Sequence, residues 1–201
     1  MRAERSAILR GFLWSQAAVL ILSAACTGAQ DVQMTVTRDG DWVTVWASAE
    51  IPADRNIVWE VLTDYDRYPE FIPDLSASRV VSRDGNRLVV DFKGEFRFLF
   101  FSQPMESRLA VVLYPRSRIE ARSLAGSLRY LIGTYELQAA PGGVLLVYSA
   151  RFVPEFTPPP IIGMVVTHWA MEKQFAALVG EMVRRGGLAR SRSGDETRPA
   201  Q

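Results

Sequence analysis

Residues 87–101 constrain the fold more than any other stretch, because apolar and polar side chains alternate along them. Leu88, Val90, Phe92, Phe96, Phe98 and Phe100 share one face, and Asp91, Lys93, Glu95 and Arg97 share the other. A period of two marks a β-strand, whose successive side chains point to opposite sides of the sheet. Such a strand belongs to an antiparallel sheet that is wet on one side and dry on the other, so some other element must cover the dry face. Gly94 falls within that face, where it permits a bend or leaves space.

More strands are expected on either side. Residues 32–36 and 42–49 alternate around an Asp39-Gly40 turn. Residues 76–82, 105–113, 117–124, 128–139 and 144–153 alternate in turn, punctuated by Asp84-Gly85-Asn86, Pro115, Ala125-Gly126 and Pro141-Gly142-Gly143. Their inward positions are Met105, Leu109, Val111, Leu113, Ile119, Ala121, Leu131, Tyr135, Leu137, Leu146, Tyr148 and Phe152. A short helix is expected over 55–63, with Asp54 as its N-cap. Thr157-Pro158-Pro159-Pro160 opens a long one over 161–185. Met164, His168, Met171, Phe175, Leu178 and Met182 form its apolar stripe, with Val165, Trp169 and Val179 alongside. This order predicts an α+β domain, a curved antiparallel sheet wrapped around the C-terminal helix. Sheet and helix leave an internal hydrophobic cavity, since small inward residues (Gly94, Ala121, Ala150, Gly163) and methionines do not fill the gap.

The ends of the chain read differently. Arg2, Arg5 and Arg10 precede an apolar run over 11–25 that is short for a membrane span, the pattern of a signal peptide. Cleavage before Gln30 after Thr27-Gly28-Ala29, lipidation of Cys26 and an uncleaved anchor are the three outcomes that the segment allows. Export places the domain in the periplasm of a bacterium. Cys26 is the sole cysteine, which leaves residues 30–185 without a disulfide. Residues 186–201 lack apolar periodicity and read as a disordered tail. The formal net charge of +1 gives no footprint for nucleic acid.

Residues 65–75 are the odd segment. Pro69 and Pro73 exclude helix and central strand, yet Tyr65, Tyr68, Phe71 and Ile72 are large and apolar. Such a loop either closes over a cavity as a lid, dips into a membrane, or caps the core. Trp59, the Asp64-Tyr65 pair and Tyr68-Pro69-Glu70-Phe71-Ile72-Pro73 resemble the START-like superfamily, nearest its polyketide cyclase/dehydrase-like and coenzyme-Q-binding members. The hairpin from Gly133, "GTYELQAAPGGVLLVYSARF", and the C-terminal "MEKQFAALVGEMVRR" extend the resemblance over residues 51–185. It implies a helix-grip fold whose cavity holds lipids, quinones or polyketides, in many members without catalysis.

Catalytic chemistry finds little support. His168 is the only histidine, and no metal-ligand spacing or nucleophile motif occurs. His168 reads as a core or rim residue, as a polar contact for a ligand, or as an acid or base. Asp64 reads as the end of the short helix or an anchor of the loop, and Asp66 as a solvated carboxylate, before the two read as a catalytic pair. Tyr135 and Tyr148 suit core packing with a wet phenol tip, or a ligand. The residues expected to line a ligand site are Tyr68, Phe71, Phe92, Phe96, Met105, Tyr135, Tyr148, Met164, His168 and Met171, with no cofactor and no metal. The expected function is an exported, non-catalytic carrier for a lipid or quinone-like molecule, with transient membrane contact. A cyclase or dehydratase on an aromatic polyketide-like substrate is the alternative, with His168, the tyrosines and Arg129 as its polar set. A protein-interaction module, as in ribosome-association toxin-like relatives, is the third reading. Intact mass and N-terminal sequencing of the exported form should show a chain beginning at Gln30. A retained Met1 contradicts cleavage, and a diacylglycerol on Cys26 replaces it with lipidation.

Overall fold

The computed structural model describes residues 31–98, 101–155 and 160–196, so the expected signal segment lies outside the described residues. Eight strands form one antiparallel sheet: β1 (Gln33–Asp39), β2 (Trp42–Ile51), β3 (Leu75–Asp84), β4 (Arg87–Phe98), β5 (Phe101–Tyr114), β6 (Arg118–Gly126), β7 (Leu128–Ala140) and β8 (Gly143–Pro154). Their spatial order is β1-β2-β8-β7-β6-β5-β4-β3. After β2 the chain crosses to the far edge through α1 (Arg55–Thr63) and a 3-10 turn (Tyr65–Glu70). It then returns strand by strand until β8 pairs with β2. The long helix α2 (Pro160–Glu196) follows. This is the α+β helix-grip architecture, with shifts of strand register between Leu75 and Ala77, Val80 and Ser82, Arg108 and Leu109, and Leu128 and Tyr130. A β-bulge at such a shift bends its strand and adds twist, which curves the sheet.

Local chemistry sets the element ends. The Asp54 carboxylate accepts from the Asn56 amide at 2.7 Å and caps α1. Tight turns at Gly40 and Gly85, both at positive φ, close the β1–β2 and β3–β4 hairpins. Gly94 has a different role from the bend that its sequence position suggests. A Cβ there meets the carbonyl oxygen of Asp74, so the glycine lets the end of the rim loop lie against β4. Glu95 N–H donates to that same carbonyl at 2.9 Å.

Two expectations need correction. The strand expected over 87–101 is two strands, because β4 ends at Phe98 and β5 begins at Phe101, with Phe98 opposite Phe101. The alternation runs on through the turn, and no glycine or proline marks it, so the pattern hides the reversal. The expected disordered tail from Gly186 is helical as far as Glu196. Tertiary packing overrides weak local propensity here. Gly186 is buried against Ala53, where an added Cβ would fall 2.7 Å from the Ala53 Cβ. The Arg190 guanidinium donates to the Pro52 carbonyl.

The core gathers at one end of the sheet. Val58, Val61 and Leu62 of α1 meet Phe175, Leu178, Val179 and Met182 of α2 over Ile51, Leu88, Val90, Val111, Ile119, Leu137 and Leu146. The C-terminal half of α2 is therefore packed, and its N-terminal half spans the open part of the trough. Replacing Phe175, which is 4% exposed, by alanine should cost roughly 3–5 kcal/mol in urea melts. Gly94→Ala should cost about 1–3 kcal/mol through overpacking against the Asp74 carbonyl. Arg122→Ala, on the exposed outer face, should stay within about 0.5 kcal/mol. Equal effects at all three sites contradict this packing.

Candidate functional site

Between the sheet and the N-terminal half of α2 lies a cavity of about 480 Å³. That is the size of a small-molecule site. Its walls are apolar: Phe92 of β4, Met105 and Leu109 of β5, Leu131 of β7, Phe152 of β8, and Val166, Ala170 and Met171 of α2. The exposed lining residues Arg38, Lys93 and Arg97 mark its mouth. Its floor is the roof of the core, where Tyr148 stacks on Tyr135 with ring centres 4.5 Å apart and faces Phe175 at 6.4 Å.

The loop over 65–75 forms one side. Tyr65, Tyr68, Ile72, Asp74 and Leu75 line the cavity. The rings of Tyr65 and Tyr68 lie 5.3 Å apart, and both contact Phe92, at 6.3 and 6.1 Å. The Tyr68 phenol donates to the Leu62 carbonyl at 2.8 Å, which fastens the loop to α1. Asp74 holds a left-handed backbone with φ 65°, a conformation that non-glycine residues adopt at a cost of order 1 kcal/mol or more. Three contacts hold it there: room at Gly94, the Glu95 amide, and the Lys173 ammonium of α2 on its carboxylate at 2.8 Å.

An ion cluster pins the other side of the loop. Arg185 reaches Asp64 at 2.8 Å and Glu181 at 2.6 Å, and its guanidinium lies 5.6 Å from the Phe71 ring centre. Arg184 grips the same Glu181 through two bonds of 2.6 Å. The Arg184 hydrogen bond is the largest influence on Glu181. With Arg185, and against burial, it holds that carboxyl down at about 2. Asp64 thus belongs to the cluster, and Asp66 accepts from the Val80 amide at 2.9 Å.

Tyr68, Phe92, Met105, Tyr135, Tyr148, Met164 and Met171 line the cavity. Phe71 does not. It packs on Tyr68, ring centres 5.5 Å apart, beneath Arg185. His168 does not either. It is 41% exposed in its side chain, 3.7 Å from Glu172 on the outer side of α2. The side chain of Phe96 lies outside the described residues, although its backbone pairs with Gln103 in β4 and β5. Arg129 is exposed. The lining face of α2 is centred on Gly163, Thr167, Ala170 and Gln174, while Val165 and Trp169 are exposed. Among the described residues, no cluster of histidine, cysteine or carboxylates is placed to hold a metal.

Sequence reasoning missed Lys173, Gln174 and the Glu181 cluster. The spacing of Glu181 from Arg184 and Arg185, three and four residues, carried a signal for the last. Because the Glu181 carboxyl is held below its unfolded value of about 4.3, its stabilisation is full above that pH and drains away as pH falls toward 2. The stability gap between the wild type and Glu181→Gln, read from urea melts, should therefore narrow from pH 5 to pH 2. A gap that does not change with pH contradicts the cluster.

The protein-family model described as polyketide cyclase / dehydrase and lipid transport matches residues 51–179. No curated protein sequence matches. Among solved structures, the STAR-related lipid transfer protein of Xanthomonas axonopodis superposes with a TM-score of 0.60 at 13% identity, covering 75% of this chain and 93% of that one. A START superfamily protein from Mycobacterium smegmatis gives 0.59 at 15% identity, covering 70% and 97%. The Zhui aromatase/cyclase of a Streptomyces species gives 0.56 at 19% identity, covering 77% and 95%. At these identities the structures attest the fold, and the family match spans well over half of the chain. The chain belongs to the polyketide cyclase / dehydrase and lipid transport family.

Proposed function

We propose that this chain is a carrier that binds a hydrophobic small molecule, a lipid or quinone-like compound, without transforming it. The family description names both lipid transport and cyclisation, and similar folds appear among proteins titled for each. The observation that carries the choice is a 480 Å³ cavity with apolar walls, to which the polar candidates of the sequence contribute little chemistry. His168 faces away, and Asp64 and Asp66 are engaged in the frame of the loop. Burial raises the Tyr148 phenol to about 12 and the Tyr135 phenol well above its usual value, which makes both poor bases at neutral pH. The cyclase reading would have to rest on these phenols as proton donors.

The sequence of the first 29 residues supports an exported carrier working at a membrane face, by signal cleavage or by lipidation of Cys26. Contact with the bilayer draws support from large apolar groups exposed on the N-terminal half of α2, Val165 at 65% and Trp169 at 41%. Trp42 and Tyr130 sit at the same end of the sheet, rings 6.0 Å apart, with the Arg151 guanidinium 4.3 Å over Trp42. A stripped protein should take up lipid from vesicles, and the organic extract should return that lipid unchanged by mass spectrometry. Met171→Trp should fill the cavity and abolish uptake. Trp169→Ala should slow uptake without lowering the final occupancy. Failure to bind any of a panel of lipids and quinones contradicts the carrier reading. Turnover of an aromatic substrate that is lost in Tyr148→Phe moves the assignment to the cyclase.

A further inference from the structure

The cavity floor carries polar groups that the packing leaves unused. Four tyrosines line the cavity, and they divide into two kinds. The Tyr68 phenol donates to the Leu62 carbonyl and serves the loop. The phenols of Tyr65, Tyr135 and Tyr148 have no hydrogen-bond partner among the described residues. None of these oxygens is both fully buried and unpaired, so each is reachable from the cavity, where a phenol ordinarily finds a partner. Tyr65 is 6% exposed, and its ring is wedged against Tyr68 and Phe92. Tyr135 and Tyr148 lie opposite each other in β7 and β8.

Tyr135 and Tyr148 stack with ring centres 4.5 Å apart, and Tyr65 lines the same cavity. Burial, with proximity to Tyr148 and Tyr65, raises the Tyr135 phenol well above its usual value. The charged lining residues Arg38, Asp74, Lys93, Glu95 and Arg97 lie on the loop and at strand ends around the mouth. Around the phenols the neighbours are Leu62, Phe92, Ile119, Phe175 and Leu178. The exposed Arg83 of β3 acts on Tyr65, but no cation acts on Tyr135 or Tyr148, so a carboxylate at that pair would have donors without a counter-charge, in surroundings that penalise charge. A hydrocarbon would fit the walls but leave the donors unpaired.

We propose that Tyr65, Tyr135 and Tyr148 form a donor subsite that selects an uncharged ligand with a carbonyl oxygen, an ester or a ketone, over a plain hydrocarbon and over a fatty-acid anion. The inference rests on the carrier reading and specifies its ligand class. The acyl or alkyl chain runs from the phenols along Phe92, Met105 and Met171 toward the mouth. The carbonyl oxygen accepts from the phenols, each bond being worth roughly a factor of ten once the alternative is an unpaired buried donor.

The test is competition against the neutral fluorophore N-phenyl-1-naphthylamine on the full chain at pH 8, with four competitors of matched length: undecane, 2-undecanone, methyl decanoate and decanoate. The ketone and ester should displace the probe at concentrations about tenfold or more below those of undecane and decanoate. In Tyr135→Phe/Tyr148→Phe that preference should vanish, with undecane gaining potency because no phenol is left unpaired beneath it. Tyr65→Phe alone should weaken it severalfold, and it serves as the test should the double variant fail to fold. Equal potency of ester and undecane on the wild type overturns the donor subsite and leaves the carrier standing, as does a preference that survives in the double variant. Decanoate as the best competitor overturns the neutral class. Absence of probe binding and of competition by all four overturns the carrier and the subsite together.

Discussion

One α-helix cannot fill the trough of an eight-stranded sheet. Strands about 4.8 Å apart give such a sheet a width near 34 Å, and a helix with its side chains is about 10–12 Å across. α1 fills the difference at one end, where Val58, Val61 and Leu62 meet Phe175, Leu178 and Met182. At the other end nothing comparable is available, and the inner face of α2 there is small, with Gly163 and Ala170 on it. The cavity is thus a consequence of covering a wide dry face with a single long helix. Large aromatic side chains on that inner face would close it.

Polar contacts decide how the two halves stay in register. The buried Glu181 holds Arg184 and Arg185, and Arg185 reaches on to Asp64 at the junction of α1 and the loop. Four residues of two elements thereby form one unit at the packed end. Removing a partner of the buried Glu181 leaves a charge there less compensated, which costs more than the loss of an exposed pair. At the open end the link between α2 and the loop is lighter, the partly exposed Lys173–Asp74 pair. Exposed pairs of this type contribute about 0–1 kcal/mol. The wall of the cavity is therefore held by more buried charge at its packed end than at its open end.

Most of the fold was legible because burial follows the periods of two and 3.6 along the chain. The α1 boundaries, the Asp54 cap and the inward positions from Leu109 to Phe152 followed from pattern alone. The β4–β5 reversal did not, since Phe98 and Phe100 continue the alternation of the sequence up to Phe101, where β5 already begins. The site was less legible for a related reason. Sequence reasoning places large apolar residues inward, but a helix that borders a cavity turns small residues toward it. Val165 and Trp169 are exposed, and His168 is absent from the lining although Met164 and Met171, four residues before it and three after, belong to it. Gly186 to Glu196 looked unstructured because the local signal is poor, and packing on Ala53 and Pro52 supplies what that signal lacks. Phe71 was misplaced because its apolar character fits both a cavity rim and the cation above it.

The account stands on a single claim, that the space between the sheet and the N-terminal half of α2 is a ligand site and not a packing void. A crystal structure of the protein grown with an alkyl ester brominated at the chain terminus tests it most directly, because the anomalous signal locates bromine without interpretation of weak density. The account predicts a bromine peak among Phe92, Met105 and Met171, with the ester at the tyrosine floor. Bromine confined to the outer surface, with ordered water filling the cavity, would contradict it.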